Sequence, residues 1–99
     1  MRPVKVCYAP RAHKDLVEIH AWLSERSANA AAAVLAAVRS TADLIGEYPQ
    51  IGRATDIDGV KVLPVVRYPY LVYYTVEADE VVIIHVRHGA RTSPDLGDL

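Results

Sequence analysis

Three runs rich in β-branched and aromatic residues, 60–66, 70–76 and 81–86, follow one another with only short polar breaks and nothing helical between them. Strands this close in sequence pair with each other, and the four-residue polar loop Glu77-Ala78-Asp79-Glu80 suits a hairpin between the second and third. A sheet built this way has to bury at least one face, and the first half of the chain supplies the cover. Ala12, Leu16, Ile19 and Leu23 recur at spacings of four, three and four behind Pro10, which predicts an amphipathic helix, with Trp22 widening its stripe toward the core. After a break at 24–29, where Ser27 or Asn29 can cap the next helix, Val34, Val38, Ala42 and Ile45 form a second stripe beside Leu35 in alanine-rich sequence. Gly46 is a candidate helix terminator and Pro49 follows it, so a helical hairpin is expected over about 10–46.

Residues 4–8 alternate apolar and polar and predict a short first strand. The order is therefore β-α-α-β-β-β, an α+β class with the helical hairpin packed on one face of a four-stranded, mainly antiparallel sheet. The other face is left open. At 99 residues with 52% apolar side chains, the chain suits one ordered domain, expected over 1–91 with a C-terminal tail over 92–99. One cysteine, Cys7, excludes an internal disulfide and a four-thiolate zinc site, and fits a reducing cytoplasmic setting. No uninterrupted apolar run reaches the roughly 18 residues of a membrane span, and Met1-Arg2-Pro3 opens no signal-peptide core, so no membrane association is expected.

The net charge of −1 removes any chain-wide attraction for nucleic acid and leaves only local cationic patches to consider. Residues 1–45 hold six Lys/Arg against four Asp/Glu, and residues 46–99 hold five against eight. Those five are Arg53, Lys61, Arg67, Arg87 and Arg91, mostly on or beside expected strands, whereas the acids sit mostly in turns and the tail. Strand alternation sets Val81, Ile83, His85 and Arg87 on one face and Val82, Ile84, Val86 and His88 on the other. Burying Arg87 under helices would be costly, so its set is assigned to the open face and His88 to the helical side. Lys61, grouped with Leu63 and Val65, is also expected on the open face. Lys61, Arg67, His85 and Arg87 can then converge, with Arg91 near the rim. Arg53, after Gly52, reads equally as a loop anchor or a functional cation.

Motif tests exclude several chemistries. The chain has no glycine-rich phosphate loop, no serine nucleophile elbow and no His-Glu-x-x-His helix. His85 and His88 fall on opposite strand faces, a poor chelating geometry, so neither a metal nor another cofactor is expected. Cys7 reads as a small apolar filler rather than a reactive thiol, and His13 and His20 as solvated or interfacial. Tyr68, Tyr70, Tyr73 and Tyr74 read either as core or as a base-stacking platform.

Four segments in order carry a family likeness: Tyr8-Ala9-Pro10-Arg11-Ala12-x-x-Asp15-Leu16-x-x-Ile19; Leu44-x-x-x-Tyr48-Pro49-x-x-Gly52-Arg53; Arg67-Tyr68-Pro69-Tyr70-Leu71-Val72-Tyr73-Tyr74; and Val82-x-Ile84-x-Val86-x-His88-x-x-Arg91. Together they resemble the RelE/ParE toxin superfamily, from about residue 4 to residue 91. The resemblance implies a bacterial type II toxin–antitoxin system, in which the toxin is held in a hetero-oligomer by a cognate antitoxin. It implies one of two activities: a ParE-like branch inhibits DNA gyrase without hydrolysis, and a RelE-like branch cleaves mRNA on the ribosome. An inert interaction module of the same fold is a third reading. For a nuclease, Lys61, Arg67 and Arg87 would stabilise phosphorane charge and His85 would move the proton. The likeness commonly includes a terminal tyrosine or histidine–tyrosine element, and residues 89–99 contain no Tyr, Lys or His. That departure and the low charge favour the ParE-like branch. For gyrase, the target-binding candidates are Arg53, Lys61, Arg67, Arg87 and Arg91. His88 and Arg91 match the family's terminal His-x-x-Arg, with structural and functional roles both open.

Overall fold

A computed structural model of the chain describes residues 4–89. Its elements run β1 (Lys5–Tyr8), α1 (Pro10–Ser24), α2 (Ala28–Glu47), β2 (Arg53–Ala54), β3 (Val60–Pro64), β4 (Tyr70–Val76) and β5 (Glu80–His88). Pro10 opens α1, where its fixed φ and missing N–H cost nothing. The Ser27 hydroxyl accepts the Ala30 amide at 3.1 Å and caps α2.

The sheet has the order β1-β5-β4-β3-β2. Neighbours are antiparallel except β1, which runs parallel to β5. The last strand of the described residues, β5, therefore lies inside the sheet, between β1 and β4. The helices cover one face: Ala12, Val34, Val38, Ala42 and Ile45 pack onto Val72, Tyr74, Val81, Ile83 and Val86. Leu16, Ile19 and Leu23 complete the α1 stripe at the edge of this core.

The expected α+β layering is present, with five strands among the described residues rather than four. The extra strand, β2, pairs only Arg53 with Val62 and Ala54 with Lys61, too short a run to show a period in sequence. The β4–β5 loop is Glu77–Asp79 rather than four residues, because Glu80 already belongs to β5.

Gly46 does not end α2. It lies buried within the helix, where an added Cβ would stand 2.8 Å from Val6 Cγ2, and its carbonyl accepts the Val4 amide at 3.1 Å. The residue is small because β1 passes close over the helix. Trp22 is not a core anchor either: it is 46% exposed, with the Arg26 guanidinium 3.6 Å above its ring and Arg26 Nη1 donating to its carbonyl. α2, at 20 residues, is long and apolar enough to cross a membrane by length and composition, contrary to the reading of uninterrupted runs. Its apolar stripe, however, is the part buried on the sheet.

The largest departure is a bulge in β5. Tyr73 pairs with His85 but Tyr74 pairs with Ile83, leaving Ile84 as the extra residue. The alternation therefore changes phase midway. Val81 and Ile83 face the helices with no exposure, not the open face, and Val86 also faces the helices. His85 and Arg87 lie opposite, in register with Tyr73 and Leu71.

Candidate functional site

The open face is read from the register, since directly opposed residues on antiparallel neighbours share a face. One transverse row holds Arg53, Val62, Tyr73 and His85. A second row, toward the end of β5, holds Pro64, Leu71 and Arg87. Strand spacing places Arg53 about 10 Å from Tyr73, within reach of an arginine side chain bending inward.

Within these rows the side chains are tied to one another. Arg87 Nε donates to the Tyr73 hydroxyl at 3.0 Å and Nη1 to the His88 carbonyl at 3.1 Å, and its guanidinium carbon is 5.6 Å from the Tyr73 ring centre. The Tyr73 ring stacks on His85, with centroids 5.6 Å apart and planes at 29°. Both Tyr73 and His85 are only 3% exposed.

Asp15 anchors this row, although in sequence it looked like one of the polar residues separating the α1 stripe. It is 9% exposed, and its Oδ2 accepts both His85 Nδ1–H at 2.7 Å and the Val86 amide at 3.0 Å. Its Oδ1 accepts Arg11 Nε–H at 3.3 Å. Pairing with β1 stops at Ile83, so the edge amide of Val86 has no strand beside it, and the α1 carboxylate takes that place. With Nδ1 donating to a carboxylate, His85 keeps one ring tautomer when neutral. Its Nε2 is buried and has no hydrogen-bond partner among the described residues.

A second hydroxyl organises the Tyr48–Arg53 segment. Tyr74 Oη donates to the Pro49 carbonyl at 2.9 Å and accepts the Gly52 amide at 2.8 Å. A Cβ on Gly52 would lie 2.6 Å from that oxygen, so the position needs glycine. Burial pushes the Tyr74 phenol up, only partly offset by the Gly52 bond. This clamp sets where β2, and with it Arg53, begins.

The remaining candidates divide. Lys61 pairs with Tyr74 and so sits on the helical side of the sheet, not the open face, because Leu63 and Val65 of its set belong to the core. Arg67 lies in the β3–β4 loop, exposed, with φ of 75°, a left-handed conformation rare for a side-chain-bearing residue. The Gly89 amide bonds the Pro69 carbonyl, which puts this loop at the Arg87 end of the sheet. His88 is on the helical side, edge-on to Tyr70 at 5.3 Å. Arg91 lies outside the described residues.

The tyrosines are core rather than a platform: Tyr70 and Tyr74 belong to the buried cluster, Tyr68 packs against it, and Tyr73 is buried in contact with His85 and Arg87. Cys7 Sγ donates to Glu80 Oε2 at 3.4 Å, and that bond, with burial and the carboxylate's charge, holds the thiol above its ordinary value. It stays protonated near neutrality, the form that does not attack as a nucleophile. No group of three or more potential metal ligands exists among the described residues.

Chemically, the face offers guanidinium groups and one buried imidazole. Comparison with known proteins bears on the fold and the family. A solved structure described as the chromosomal ParDE TA system from P. aeruginosa superposes with a TM-score of 0.76 at 17% identity, over 86% of this chain and 95% of that one. Toxin Y4kP of Sinorhizobium fredii is 30% identical over 92 residues, covering 93% of this chain and 95% of its own. Toxin RelE3 of Caulobacter vibrioides is 31% identical over 81 residues, covering 80% and 87%. The model of the ParE toxin of type II toxin–antitoxin systems matches residues 6–92, and the chain belongs to that family.

Proposed function

We propose that this toxin acts by binding DNA gyrase through the open face of its sheet, without hydrolysis, and that a cognate antitoxin neutralises it in a cytoplasmic toxin–antitoxin complex. One observation carries the choice of binding over cleavage. His85, the open-face group that would move a proton in RNA cleavage, is 3% exposed, fixed by Asp15 and stacked on Tyr73. A general base has to come within hydrogen-bond reach of the substrate's proton, and the buried Nε2 does not. Arg53, Arg67 and Arg87 then serve as recognition cations for carboxylate or phosphate groups, a role suited to guanidinium. Lys61, on the other side of the sheet, drops out of this set.

Ribosome-dependent mRNA cleavage is the second reading, favoured by the likeness to toxin RelE3. Inducing the chain in bacteria, then assaying plasmid supercoiling and mapping mRNA 5′ ends, separates the two. Loss of supercoiling with intact transcripts is expected. Codon-positioned cuts with normal supercoiling would establish the nuclease, and unaffected growth would mark an inert interaction module. Arg53→Ala, at an exposed position, is expected to keep the fold and reduce toxicity. If Arg53→Ala and Arg67→Ala each remain fully toxic, the open face is not the target surface.

A further inference from the structure

The C-terminal end of α2 keeps large apolar side chains in water: Leu44 is 37% exposed, Tyr48 60% and Ile51 43%. Leu44 and Tyr48 are one turn apart on the helix and therefore adjacent. A tight turn brings Ile51 back beside them, its amide bonding the Tyr48 carbonyl at 2.9 Å. Tyr8, 38% exposed at the end of β1, lies close enough to Asp43 and Arg39 for both charges to act on its hydroxyl, and it extends the patch across α2.

This surface is set before any partner arrives. The Tyr74 hydroxyl holds both Pro49 and Gly52, and the Tyr48 amide closes onto the Leu44 carbonyl at 2.9 Å. A partner would not have to order the segment, and tyrosine is among the residues enriched at energetic hot spots. Nothing in the fold requires Tyr48 and Ile51 to be apolar, since neither contributes to the buried core.

The rim specifies charge. Asp43 and Glu47 flank Leu44 and Tyr48, both exposed, and the last turn of α2 holds no basic residue. The helix C-terminus adds its own partial negative charge. Arg39, one turn further back, is the nearest cation on the helix. An occupant with acidic borders would be repelled, whereas one with cationic borders meets complementary charge.

We propose that the Tyr8–Leu44–Tyr48–Ile51 surface docks a basic amphipathic segment of a protein partner, apolar anchors inward and Lys/Arg against Asp43 and Glu47. Leu44 and Tyr48 lie on the helical side of the sheet, opposite Arg53 and Tyr73, so this site is separate from the open face and stands whichever target that face takes.

The probe is a helical peptide of about 14 residues made only of leucine and lysine, with leucines at helical spacing, titrated into the isotope-labelled full chain. A matched peptide carrying glutamate for lysine is the control. Amide shift changes are expected around residues 43–52 and Tyr8, with the acidic peptide about tenfold or more weaker. Tyr48→Ala should weaken the lysine peptide about tenfold, and Glu47→Lys, a surface change that leaves packing untouched, should narrow its preference over the acidic one. Shift changes centred on another face, equal binding of the two peptides, or unchanged preference in Glu47→Lys would each overturn the proposal.

Discussion

Asp15 on α1 accepts the Nδ1–H of His85 at 2.7 Å, joining two residues 70 positions apart in the chain. The same carboxylate oxygen takes the Val86 amide, so one side chain on the first helix both closes the free edge of β5 and fixes the imidazole at its bulge. Removing either partner leaves a buried polar group uncompensated. Asp15→Ala is expected to cost about 2–4 kcal/mol in denaturant unfolding, from an imidazole N–H and a backbone N–H left unsatisfied. Asp15→Asn should cost less, because an amide oxygen in the Oδ2 place still accepts both bonds and only the Arg11 bond at Oδ1 is lost. A loss below about 1 kcal/mol for Asp15→Ala would mean the pair does not hold α1 to the sheet.

Tyr74→Phe deletes the hydroxyl that holds Pro49 and Gly52 while keeping the ring in the core. The expected loss is about 1–3 kcal/mol, from one unsatisfied amide and one unsatisfied carbonyl. Hydrogen exchange should quicken at the Gly52 amide and leave β4 amides unchanged. Gly52→Ala should resemble it, since the new Cβ displaces the same oxygen.

Alkaline pH should destabilise the fold through two phenols. Burial raises Tyr74 above the ordinary value of 10.0, and burial followed by the Asp43 charge raises Tyr8 likewise. Both folded-state values lie above the unfolded ones, so this stabilisation is complete below about pH 10 and declines as pH rises through the folded values. Thermal melts between pH 8 and pH 11 should show the decline, and Tyr74→Phe should make it shallower. An identical slope in that variant would remove Tyr74 from the account.

Arg67 holds a φ of 75° that glycine adopts freely. Arg67→Gly should therefore stabilise the chain by up to about 1 kcal/mol while deleting a recognition cation. A more stable and less toxic variant is the expected pairing, read by unfolding and growth assays side by side. Arg67→Ala keeps the backbone strain and should lose toxicity without the gain.

Gly46→Ala sets helix propensity against sterics. Alanine favours the helix by about 1 kcal/mol, but its methyl group would stand 2.8 Å from Val6 Cγ2 with the Val4 carbonyl at 3.4 Å behind it. The clash should win by about 1–2 kcal/mol, because β1 has to move as a strand to relieve it. Unfolding midpoints of the two proteins decide the sign.

The helical layer was legible because Ala12, Leu16, Ile19 and Leu23, like Val34, Val38, Ala42 and Ile45, carry a period with no competing one. β5 was not, because Val81-Val82-Ile83-Ile84 is apolar in both phases and nothing local marks Ile84 as the bulged residue. The cost of burying a guanidinium puts the half of that strand carrying His85 and Arg87 on the open face, where the register with Tyr73 and Leu71 also places it. Lys61 failed the same kind of test because its neighbours Leu63 and Val65, not its own charge, decide which way the strand faces. Asp15 was unreadable for a different reason: its partner is remote, and a carboxylate between apolar helix positions looks solvated until the sheet edge it closes is known. Trp22 shows the converse, a large ring that Arg26 covers at the surface.

Because β5 fills the gap between β1 and β4, translation delivers the keystone of the sheet last. Until Glu80–His88 leaves the ribosome, Lys5–Tyr8 has no partner strand and the α1 carboxylate lacks both His85 and the Val86 amide. Such distant pairing makes closure slow and leaves the helical stripes uncovered on the nascent chain. The sheet thus closes only once β5 has emerged, and until then an interval exists in which another chain can reach the exposed stripes first.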